Sequence, residues 1–321
     1  MPITRRSFFR YCGLSATVLG LDACKLRLLE EALANPSAPS VIWLIGSACT
    51  GCSVSFLNRI SDKPGEPTDV AEVVANAINL VFHPTIMGAA GETAVAALKH
   101  TYAKGNYILV LEGAVPTAFQ GHPCVVWNYG GVEMTFQQAV TELMPRALKT
   151  VCVGTCASFG GIPASGSNPT QCMGVRDFTG RPTINISGCP ANPDWVVWAI
   201  VQLLVGNPVT LDADGRPVDL YSKNFSGGAE LPIIHDKCPR NPLLGNTEAQ
   251  NFGENGRCLV NLGCRGPFTK SRCNTAWCGI GGHQLGEPHP GHWCIGVNAP
   301  CHGCVEKTFP GPQSFYQPYV L

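Results

Sequence analysis

The chain has 321 residues, 17 of them cysteine, and 22 basic and 22 acidic residues give it a formal net charge of zero. The balanced charge and the lack of a basic tract argue against a nucleic-acid-binding protein, and after the N-terminal segment no apolar run is long enough to predict a membrane span. A chain of this length suggests two domains and can form its core without a disulfide scaffold, so the excess of cysteine points to metal binding.

Residues 1–34 are predicted to be an export signal. TRRSFFR at residues 4–10 is typical of the twin-arginine route, and a moderately apolar run, residues 12–21, follows it. That route exports folded proteins, which suits a chain that must bind its metal before export. An A-x-A site predicts cleavage before Asn35; a lipobox-like stretch at residues 21–24 and retention of the whole segment are the alternatives. We therefore expect a periplasmic protein that associates with the membrane only if it is lipidated or through a partner.

From residue 41 onward, short apolar strands alternate with helices. Strands are predicted at residues 41–45, 80–82, 107–111, 150–153 and 183–186. Helices are predicted at residues 70–78, 93–104, 136–148 and 195–205. Continuous apolar strands separated by helices are typical of a parallel sheet that is covered on both faces. The sequence therefore predicts a flavodoxin-like, doubly wound α/β domain at residues 35–211.

Four cysteines directly follow predicted strands. Cys49 and Cys52 come after the first strand, and Cys156 and Cys189 each come after a later one. The carboxyl ends of parallel strands meet at one edge of an open sheet, and ligands bind at that edge. We therefore expect these four thiols to converge on one site, where neighbouring glycines let the backbone pass close to a bulky cofactor.

Residues 212–321 form a second predicted domain, which is loop-rich and dense in Pro, Gly, Asn and Cys. Apolar packing alone rarely stabilises such a stretch, so metal sites would supply the missing order. Its cysteines are Cys238, Cys258, Cys264, Cys273, Cys278, Cys294, Cys301 and Cys304. Zinc and iron–sulfur cubanes both take ligands in fours, and spacing does not separate them. Neighbouring sites favour iron–sulfur, because together they would conduct electrons, whereas zinc ions would only support the fold.

Six separated motifs occur in the order of one known family. They are SACTGC (residues 47–52), GTC (154–156), GCP (188–190), HDKCPR (235–240), GRCL (256–259) and GCRGP (263–267). Together they resemble the small subunit of NiFe hydrogenases, from about residue 41 to Cys304. The resemblance implies a flavodoxin-like domain, a loop-rich cluster-binding domain and three iron–sulfur clusters in line.

The resemblance also implies a function. The chain would be the electron-transfer subunit of a heterodimeric NiFe or NiFeSe hydrogenase, which oxidises H₂ and reduces protons, and it would carry no catalytic residue itself. Its partners would be a large subunit with the nickel centre and an external electron carrier, a periplasmic multihaem cytochrome c. The carboxyl edge of the sheet would face the large subunit, and Glu112 would lie in that region. The alternative for Glu112 is a solvated acid. A stand-alone polycluster ferredoxin-type carrier and a zinc-stabilised scaffold are the alternatives.

A ligand set for each cluster follows from the resemblance. The proximal 4Fe–4S cluster maps onto Cys49, Cys52, Cys156 and Cys189. The distal 4Fe–4S cluster maps onto His235, Cys238, Cys258 and Cys264. The medial cluster, which in the family commonly has three irons, maps onto Cys273, Cys301 and Cys304.

The medial cluster is where the sequence departs most from the family. Proline is usual at the position of Cys294, and some members with a selenocysteine in the large subunit share the departure. A thiolate at Cys294 could hold a fourth iron, so we predict a medial 4Fe–4S cluster, with 3Fe–4S as the alternative. The predicted ligands are Cys273, Cys294, Cys301 and Cys304. Cys278 as the fourth ligand and a Cys278–Cys294 disulfide are the competing assignments.

Two further departures lie beside the proximal cluster. The family usually has an acid where this chain has Ala48, and often another where it has Val54, so the local electrostatics should differ. Oxygen-tolerant members carry extra cysteines at the positions of Gly51 and Gly160, so that special cluster is not expected here.

The remaining cysteines are predicted to bind no metal. They are Cys12 and Cys24 in the leader and Cys124, Cys152 and Cys172 in the first domain. Cys152 lies within an apolar strand and is predicted to pack as a small hydrophobic residue. Cys124 and Cys172 are predicted in loops, where an exposed thiol is open to oxidation.

Overall fold

The computed structural model describes residues 39–59, 69–76, 78–221, 233–273 and 293–311. The predicted export signal with Cys12 and Cys24, and the candidate ligand Cys278, lie outside these ranges. Within the ranges, no helix combines the length and the apolar character that crossing a membrane requires.

The described residues form nine β-strands. They are β1 (Ser40–Ile45), β2 (Leu80–Phe82), β3 (Tyr107–Glu112), β4 (Val115–Pro116), β5 (Val125–Tyr129), β6 (Val132–Thr135), β7 (Lys149–Val153), β8 (Cys172–Met173) and β9 (Ile184–Ile186). Five of them form a parallel sheet in the order β2-β1-β3-β7-β9. Counted within this sheet alone, that order is the flavodoxin-like one, with its switch point between β1 and β3. The predicted fold class is therefore confirmed.

Helices cover both faces of the parallel sheet. They are α1 (Gly51–Leu57), α2 (Val70–Asn76), α3 (Gly91–Lys104), α4 (Phe136–Leu143), α5 (Gly154–Phe159), α6 (Val175–Thr179), α7 (Pro193–Leu204) and α8 (Val218–Tyr221). α1, α2, α7 and α8 pack on one face, and α3 and α4 pack on the other. Both faces of each central strand are thus buried, which is why the strands are continuously apolar.

Adjacent residues of β1 enter different cores, because successive side chains of a strand point to opposite faces of the sheet. Val41 and Trp43 pack in the core beneath α7, whereas Ile42 and Leu44 pack in the core beneath α3 and α4. Val305, from the C-terminal part of the chain, belongs to the first of these cores. The region that follows the sheet is therefore anchored in the sheet's own core.

The helix predicted at residues 136–148 is shorter in the structure. α4 ends at Leu143, and a 3₁₀ helix, Met144–Arg146, follows it. Pro145 has no backbone N–H to donate to a carbonyl of the preceding turn, so the regular α-helix stops there, while Met144 keeps helical φ and ψ of −60° and −40°. The chain then enters β7.

The antiparallel hairpin of β5 and β6 is absent from the sequence prediction. Its two-residue loop is Gly130-Gly131, with φ of 60° and 78°. Positive φ at both loop positions matches the twist of the flanking strands, and glycine adopts it without steric cost. A Gly-Gly pair between runs of strand-forming residues is the signal that could have located this hairpin.

Residues 233–273 and 293–311 contain little regular structure, as predicted. Their short 3₁₀ helices are Ile234–Lys237, Pro242–Leu244, Val260–Leu262 and Gly266–Phe268. A third core forms here, and cysteine side chains pack in it together with apolar ones. Its buried members are Ile234, Cys238, Ala249, Leu259, Cys264, Trp293, Ile295 and Cys301. Thiols thus form part of the packed interior of this region.

Candidate metal centres

The four cysteines predicted at the carboxyl edge of the sheet all lie there. Cys49 precedes α1 and Cys52 lies in its first turn, Cys156 lies in the first turn of α5, and Cys189 follows β9. Burial and the charges of Cys189 and Cys49 together raise the pKa of the Cys156 thiol to about 12. The pKa of the Cys52 thiol is likewise raised by burial and by the negative charges of Glu112, Cys156 and Cys189. The four thiols are therefore electrostatic neighbours.

Four neighbouring thiols resist ionisation, because burial and mutual repulsion both disfavour the thiolates. A cationic group placed among them reverses this preference, since a thiol that coordinates a metal is deprotonated. Within the described ranges, no three His, Cys, Asp or Glu side chains are grouped tightly enough to bind one metal ion. Four thiolates, contributed here by three segments of the chain, are the donor set that a 4Fe–4S cluster takes, so the residues present fit such a group.

Gly154 is required at the edge of this site. Its φ is +84°, and a Cβ at this position would lie 2.5 Å from Sγ of Cys52. Both the backbone conformation and the close approach of the Cys52 sulfur therefore exclude a side chain. This glycine allows the loops that follow β1 and β7 to approach each other.

Glu112 is a buried carboxylate that organises the loop after β1. It is only 1 % exposed, at the carboxyl end of β3. Its Oε1 accepts hydrogen bonds from the backbone N–H groups of Cys52 and Ser53 at 3.1 and 3.2 Å. Its Oε2 accepts from the Ser53 hydroxyl at 2.5 Å and from Nε1 of Trp43 at 3.2 Å. The interpretation of Glu112 as a solvated acid is wrong, because its charge is satisfied by four donors beneath the surface.

His83 extends this hydrogen-bond network. Its Nε2 lies 3.3 Å from the hydroxyl oxygen of Ser53, and its Nδ1 accepts from the backbone N–H of Thr85 at 3.2 Å. The ring also packs against Trp43, with centroids 5.0 Å apart. Burial lowers the pKa of His83 to about 4, so the imidazole is neutral at physiological pH. Sequence reasoning missed both His83 and Ser53, since neither lies in a motif that suggests chemistry.

A second group of cysteines lies in the loop-rich region. Burial, then the charges of Cys238 and Cys258, raise the pKa of Cys264 to about 11, while backbone hydrogen bonds to the sulfur lower it. Burial and the charge of Cys258 raise the pKa of the Cys238 thiol. The positive guanidinium of Arg240 lowers it. His235 lies in the 3₁₀ helix Ile234–Lys237, and its carbonyl accepts from the N–H of Cys238 at 3.1 Å. The structure thus brings the three distal thiols together, with His235 one short turn away.

The third group comprises the predicted medial ligands. The pKa of the Cys301 thiol is raised by burial and by the negative charges of Cys264, Cys304 and Cys273. A backbone hydrogen bond from Gly303 lowers it. The pKa of the Cys304 thiol is raised by burial and by the negative charges of Cys273 and Cys294. Cys273 and Cys294 are half-buried, and Cys301 is buried. The structure thus places Cys294 in the same group as the other three medial residues.

A hydrogen bond and an electrostatic interaction connect the three groups. The backbone N–H of Cys301 donates to Sγ of Cys264 at 3.3 Å, which links the medial and distal groups. Burial raises the pKa of the Cys304 thiol, and the charges of Cys273, Cys294 and Cys189 raise it further. The Cys304 thiol is therefore an electrostatic neighbour of a proximal thiol as well as of the medial ones.

Three of the cysteines predicted to bind no metal lie within the described residues: Cys124, Cys152 and Cys172. Cys152 is fully buried in β7, where burial raises its pKa to about 12, as expected of a small core residue. Cys172 lies in β8 and is buried, so its predicted loop position is wrong. Its short strand pairs with β4, and Pro116 is the partner of Cys172. Cys124 precedes β5 and is half-buried; burial and the charge of Cys172 raise its pKa to about 11.

Exposed apolar residues and strained backbone occur in the segments that follow strands β1, β4 and β7. Phe119 is 72 % exposed, Val54 is 50 % exposed and Ile162 is 47 % exposed. Thr50, Phe119 and Gln120 have positive φ of 60°, 52° and 57°. Non-glycine residues rarely adopt this conformation, and such strain concentrates at functional sites. The same edge of the sheet therefore carries both the thiols and an exposed apolar surface.

Comparison with protein-family models gives two matches. Residues 49–203 match the family described as NADH ubiquinone oxidoreductase, 20 Kd subunit. Residues 232–317 match the family described as NiFe/NiFeSe hydrogenase small subunit (C-terminal). The first match contains the proximal cysteines and every strand of the parallel sheet except β1, and the second covers the loop-rich region with the other candidate ligands.

The chain is also similar to characterised proteins over nearly its whole length. It is 36% identical to the periplasmic [NiFeSe] hydrogenase small subunit of Desulfomicrobium baculatum, covering 98% of this chain and 99% of that one. It is 34% identical to the periplasmic [NiFe] hydrogenase small subunit of Solidesulfovibrio fructosivorans, covering 96% and 90%. Among solved structures, the recombinant [NiFeSe] hydrogenase from Desulfovibrio Vulgaris Hildenborough matches with a TM-score of 0.73, 33% identity and coverage of 87% and 97%.

Proposed function

This chain belongs to the NiFe/NiFeSe hydrogenase small-subunit family and is the electron-transfer subunit of a hydrogenase, and we propose that its cysteines hold three iron–sulfur clusters in line. The observation that supports this arrangement is the pair of junctions between the thiol groups. A cysteine N–H of the medial group donates to a distal thiol, and burial together with charges that include that of proximal Cys189 raises the pKa of the medial Cys304 thiol. The order of the three groups is then proximal, medial, distal.

The proposed ligand sets follow the three groups. Cys49, Cys52, Cys156 and Cys189 bind the proximal 4Fe–4S cluster. His235, Cys238, Cys258 and Cys264 bind the distal 4Fe–4S cluster. Cys273, Cys294, Cys301 and Cys304 bind the medial cluster. When bound, the clusters accept and release electrons at potentials that cluster type, charge and hydrogen bonds to the sulfurs determine.

Cys294 makes the medial cluster 4Fe–4S in this proposal. The charge of Cys294 is, after burial and Cys273, one of the causes that raise the pKa of the Cys304 thiol, which supports its role, and the competing ligand Cys278 lies outside the described residues. Cys294→Pro should convert the site to 3Fe–4S, which electron paramagnetic resonance of the oxidised protein would detect. A stoichiometric 3Fe–4S signal from the undamaged parent protein would contradict the assignment.

The carboxyl edge of the sheet is proposed to face a large subunit that carries a NiFe or NiFeSe centre. Cys49 is exposed at this edge, and exposed Val54, Phe119 and Ile162 lie in the segments that follow β1, β4 and β7. Large obligate interfaces are rich in such apolar side chains. H₂ chemistry then takes place in the large subunit, while this chain carries electrons to an external carrier, which we propose to be a periplasmic multihaem cytochrome c. Relatives of the chain are named periplasmic, which supports periplasmic localisation after twin-arginine export.

Two domains are proposed, with residues 35–211 holding the proximal cluster and residues 212–321 the other two. The third core supports a separate packing unit in the second domain. Tyr221 and Val305, however, pack with the first domain. We therefore expect the two domains to unfold together.

Iron content of ligand variants tests the proposal. Cys156→Ala, Cys258→Ala and Cys273→Ala, each purified with the large subunit, should lose the resonance signal and the iron of one cluster only. Cys152→Ala is the matched control, because that buried thiol lies in the strand core and should cost packing energy alone. Loss of iron from the control, or full iron in all three ligand variants, would show that the ligand sets are wrong.

Co-purification distinguishes the hydrogenase subunit from a stand-alone polycluster carrier. We expect the chain to be recovered with a nickel-containing partner and to accumulate poorly without it, since an exposed apolar edge would be left uncovered. A stable, fully metallated monomer would favour the carrier instead.

A further inference from the structure

We propose that the Thr155 hydroxyl is a positioning group that joins the proximal and medial ligand segments and determines the electronic coupling between them. The inference rests on the proposed ligand sets. Thr155 precedes Cys156 in α5 and is only 1 % exposed. It is not itself a ligand, and none of the sequence motifs requires its hydroxyl.

The contacts of Thr155 connect three cysteine segments. Its hydroxyl donates to the carbonyl oxygen of Cys304 and accepts from the backbone N–H of Gly188 at 2.9 Å. Its own backbone N–H donates to the carbonyl oxygen of Gly188 at 3.0 Å. Gly188 precedes Cys189, so the segments of Cys156 and Cys189, both proximal, are bonded to the segment of Cys304, which is medial.

The neighbouring contacts confine the same junction. The Ser187 hydroxyl donates to the carbonyl oxygen of Val305 at 2.8 Å, and the Tyr221 hydroxyl donates to the carbonyl oxygen of Ser187 at 2.6 Å. The guanidinium of Arg216 donates to the Val305 carbonyl at 3.2 Å and to Oε2 of Glu306 at 3.1 Å. These bonds keep the chain after Cys304 in place, so loss of the Thr155 hydroxyl would perturb the junction locally.

Thr155 is suited to this task by its chemistry. A β-branched side chain has few accessible χ1 rotamers, so the hydroxyl is directed by the backbone that also places Cys156. Its one donor and one acceptor interaction are both used within the junction. Without the hydroxyl, the Gly188 N–H and the Cys304 carbonyl would each lose a buried partner, and the two segments would separate slightly. Electron transfer between redox sites slows steeply with separation, so a small shift here has a measurable effect.

Thr155→Val and Thr155→Ser in the intact heterodimer test the proposal. Valine keeps the shape of threonine but removes both hydrogen bonds of the hydroxyl, whereas serine keeps them. With Thr155→Val we expect full iron content and parental H/D exchange at the nickel site. We also expect weaker magnetic splitting between the reduced proximal and medial clusters, and a severalfold slower dye reduction by H₂. Thr155→Ser should restore the splitting and the rate.

Thr101→Val is the matched control for removal of a buried threonine hydroxyl. That hydroxyl donates to the carbonyl oxygen of Ala97 at 3.0 Å within α3, on the sheet face opposite α7. The control should leave splitting and dye reduction unchanged. Parental splitting and rate in Thr155→Val, or the same changes in Thr101→Val, would overturn the proposal.

The remaining outcomes are also decisive. If Thr155→Val loses iron, Thr155→Ser must still match the parent in iron and in splitting, and any deficit would overturn the role of the hydroxyl. If the parent heterodimer itself lacks three clusters, the proposed function fails. If the parent has all three and Thr155→Val is indistinguishable from it, only the inference about Thr155 fails.

Discussion

At the scale of single residues, the proximal site depends on a buried carboxylate that is not itself a proposed ligand. Glu112 accepts four hydrogen bonds, two of them from the backbone at the start of the helix that carries Cys52. Charge-assisted hydrogen bonds of this kind are stronger than neutral ones. Burial and the negative charge of Glu112 both raise the pKa of Cys52, so the same residue that orients the loop opposes ionisation of its thiol.

Glu112→Gln should weaken the attachment of the Cys52 loop. The side-chain amide has only one oxygen, so its NH₂ group must face either the N–H groups of Cys52 and Ser53 or the N–H of Trp43, which leaves at least one buried donor unpaired at a cost of about 1–3 kcal/mol. We expect a lower melting temperature of the complex and partial loss of proximal iron, measured by calorimetry and by resonance spectroscopy. Glu133→Gln, at an exposed position of β6, is the control and should change neither. Unchanged stability of Glu112→Gln would show that the carboxylate's charge is not needed there.

His83 should make the complex sensitive to acid. Its folded-state pKa of about 4 lies below the ordinary value of 6.5, so between these values the unfolded chain binds a proton that the folded chain does not. Stability contributed by the neutral imidazole is therefore complete above about pH 6.5 and is lost as pH falls toward 4, by up to about 1.4 kcal/mol per pH unit. His83→Gln should flatten the fall in melting temperature between pH 7 and pH 5. An unchanged slope would contradict the assignment.

At the scale of structural elements, the loops after β1, β7 and β9 determine the proximal site. Parallel strands end at one edge, so cysteines that are far apart in sequence approach one another there. The close contact of Gly154 with Cys52 shows how tightly two of these loops meet. The parallel sheet was predictable from apolar runs separated by helices, whereas this contact was not.

Gly154→Ala should displace the loop that carries Cys52. The new Cβ would lie 2.5 Å from the Cys52 sulfur, in addition to the strain of φ +84°. Gly180→Ala is the matched control, because Gly180 has φ +64° but no atom within 4 Å of an added Cβ. We expect the control to lose about 1–3 kcal/mol of stability and no iron, and Gly154→Ala to lose proximal iron as well. Equal iron content in both variants would contradict the role of this contact.

At the scale of the whole molecule, the described chain has two differently stabilised parts. The sheet buries apolar strands on both faces, whereas the loop-rich part has a small core in which thiols and apolar side chains are mixed. Tyr221 and Val305 join the parts within the first core. Exposed apolar side chains occur in both parts: Phe119, which follows β4, is 72 % exposed, and Leu243 in the loop-rich part is 88 % exposed.

Phe119→Asp should weaken association with the large subunit. A charge placed in an apolar interface loses its hydration without gaining a partner, so we expect less large subunit to be recovered with the variant. Leu148→Asp is the control: Leu148 is 50 % exposed, but it precedes β7 and so lies at the opposite, amino-terminal edge of the sheet. Size-exclusion chromatography measures both. Equal recovery of the two variants would indicate that the carboxyl edge is not the interface.

The sequence by itself determined the strand periodicity, the fold class, and which cysteines follow strands, because side-chain spacing and chain order are local properties. The hairpin of β5 and β6 was also readable from its Gly-Gly loop but was overlooked. Only the tertiary structure decided that Glu112 is buried with four donors, that Gly154 contacts Cys52, and that Thr155 joins Gly188 to Cys304. Each of these depends on loops from different strands meeting in space, and no local pattern encodes the distance between them.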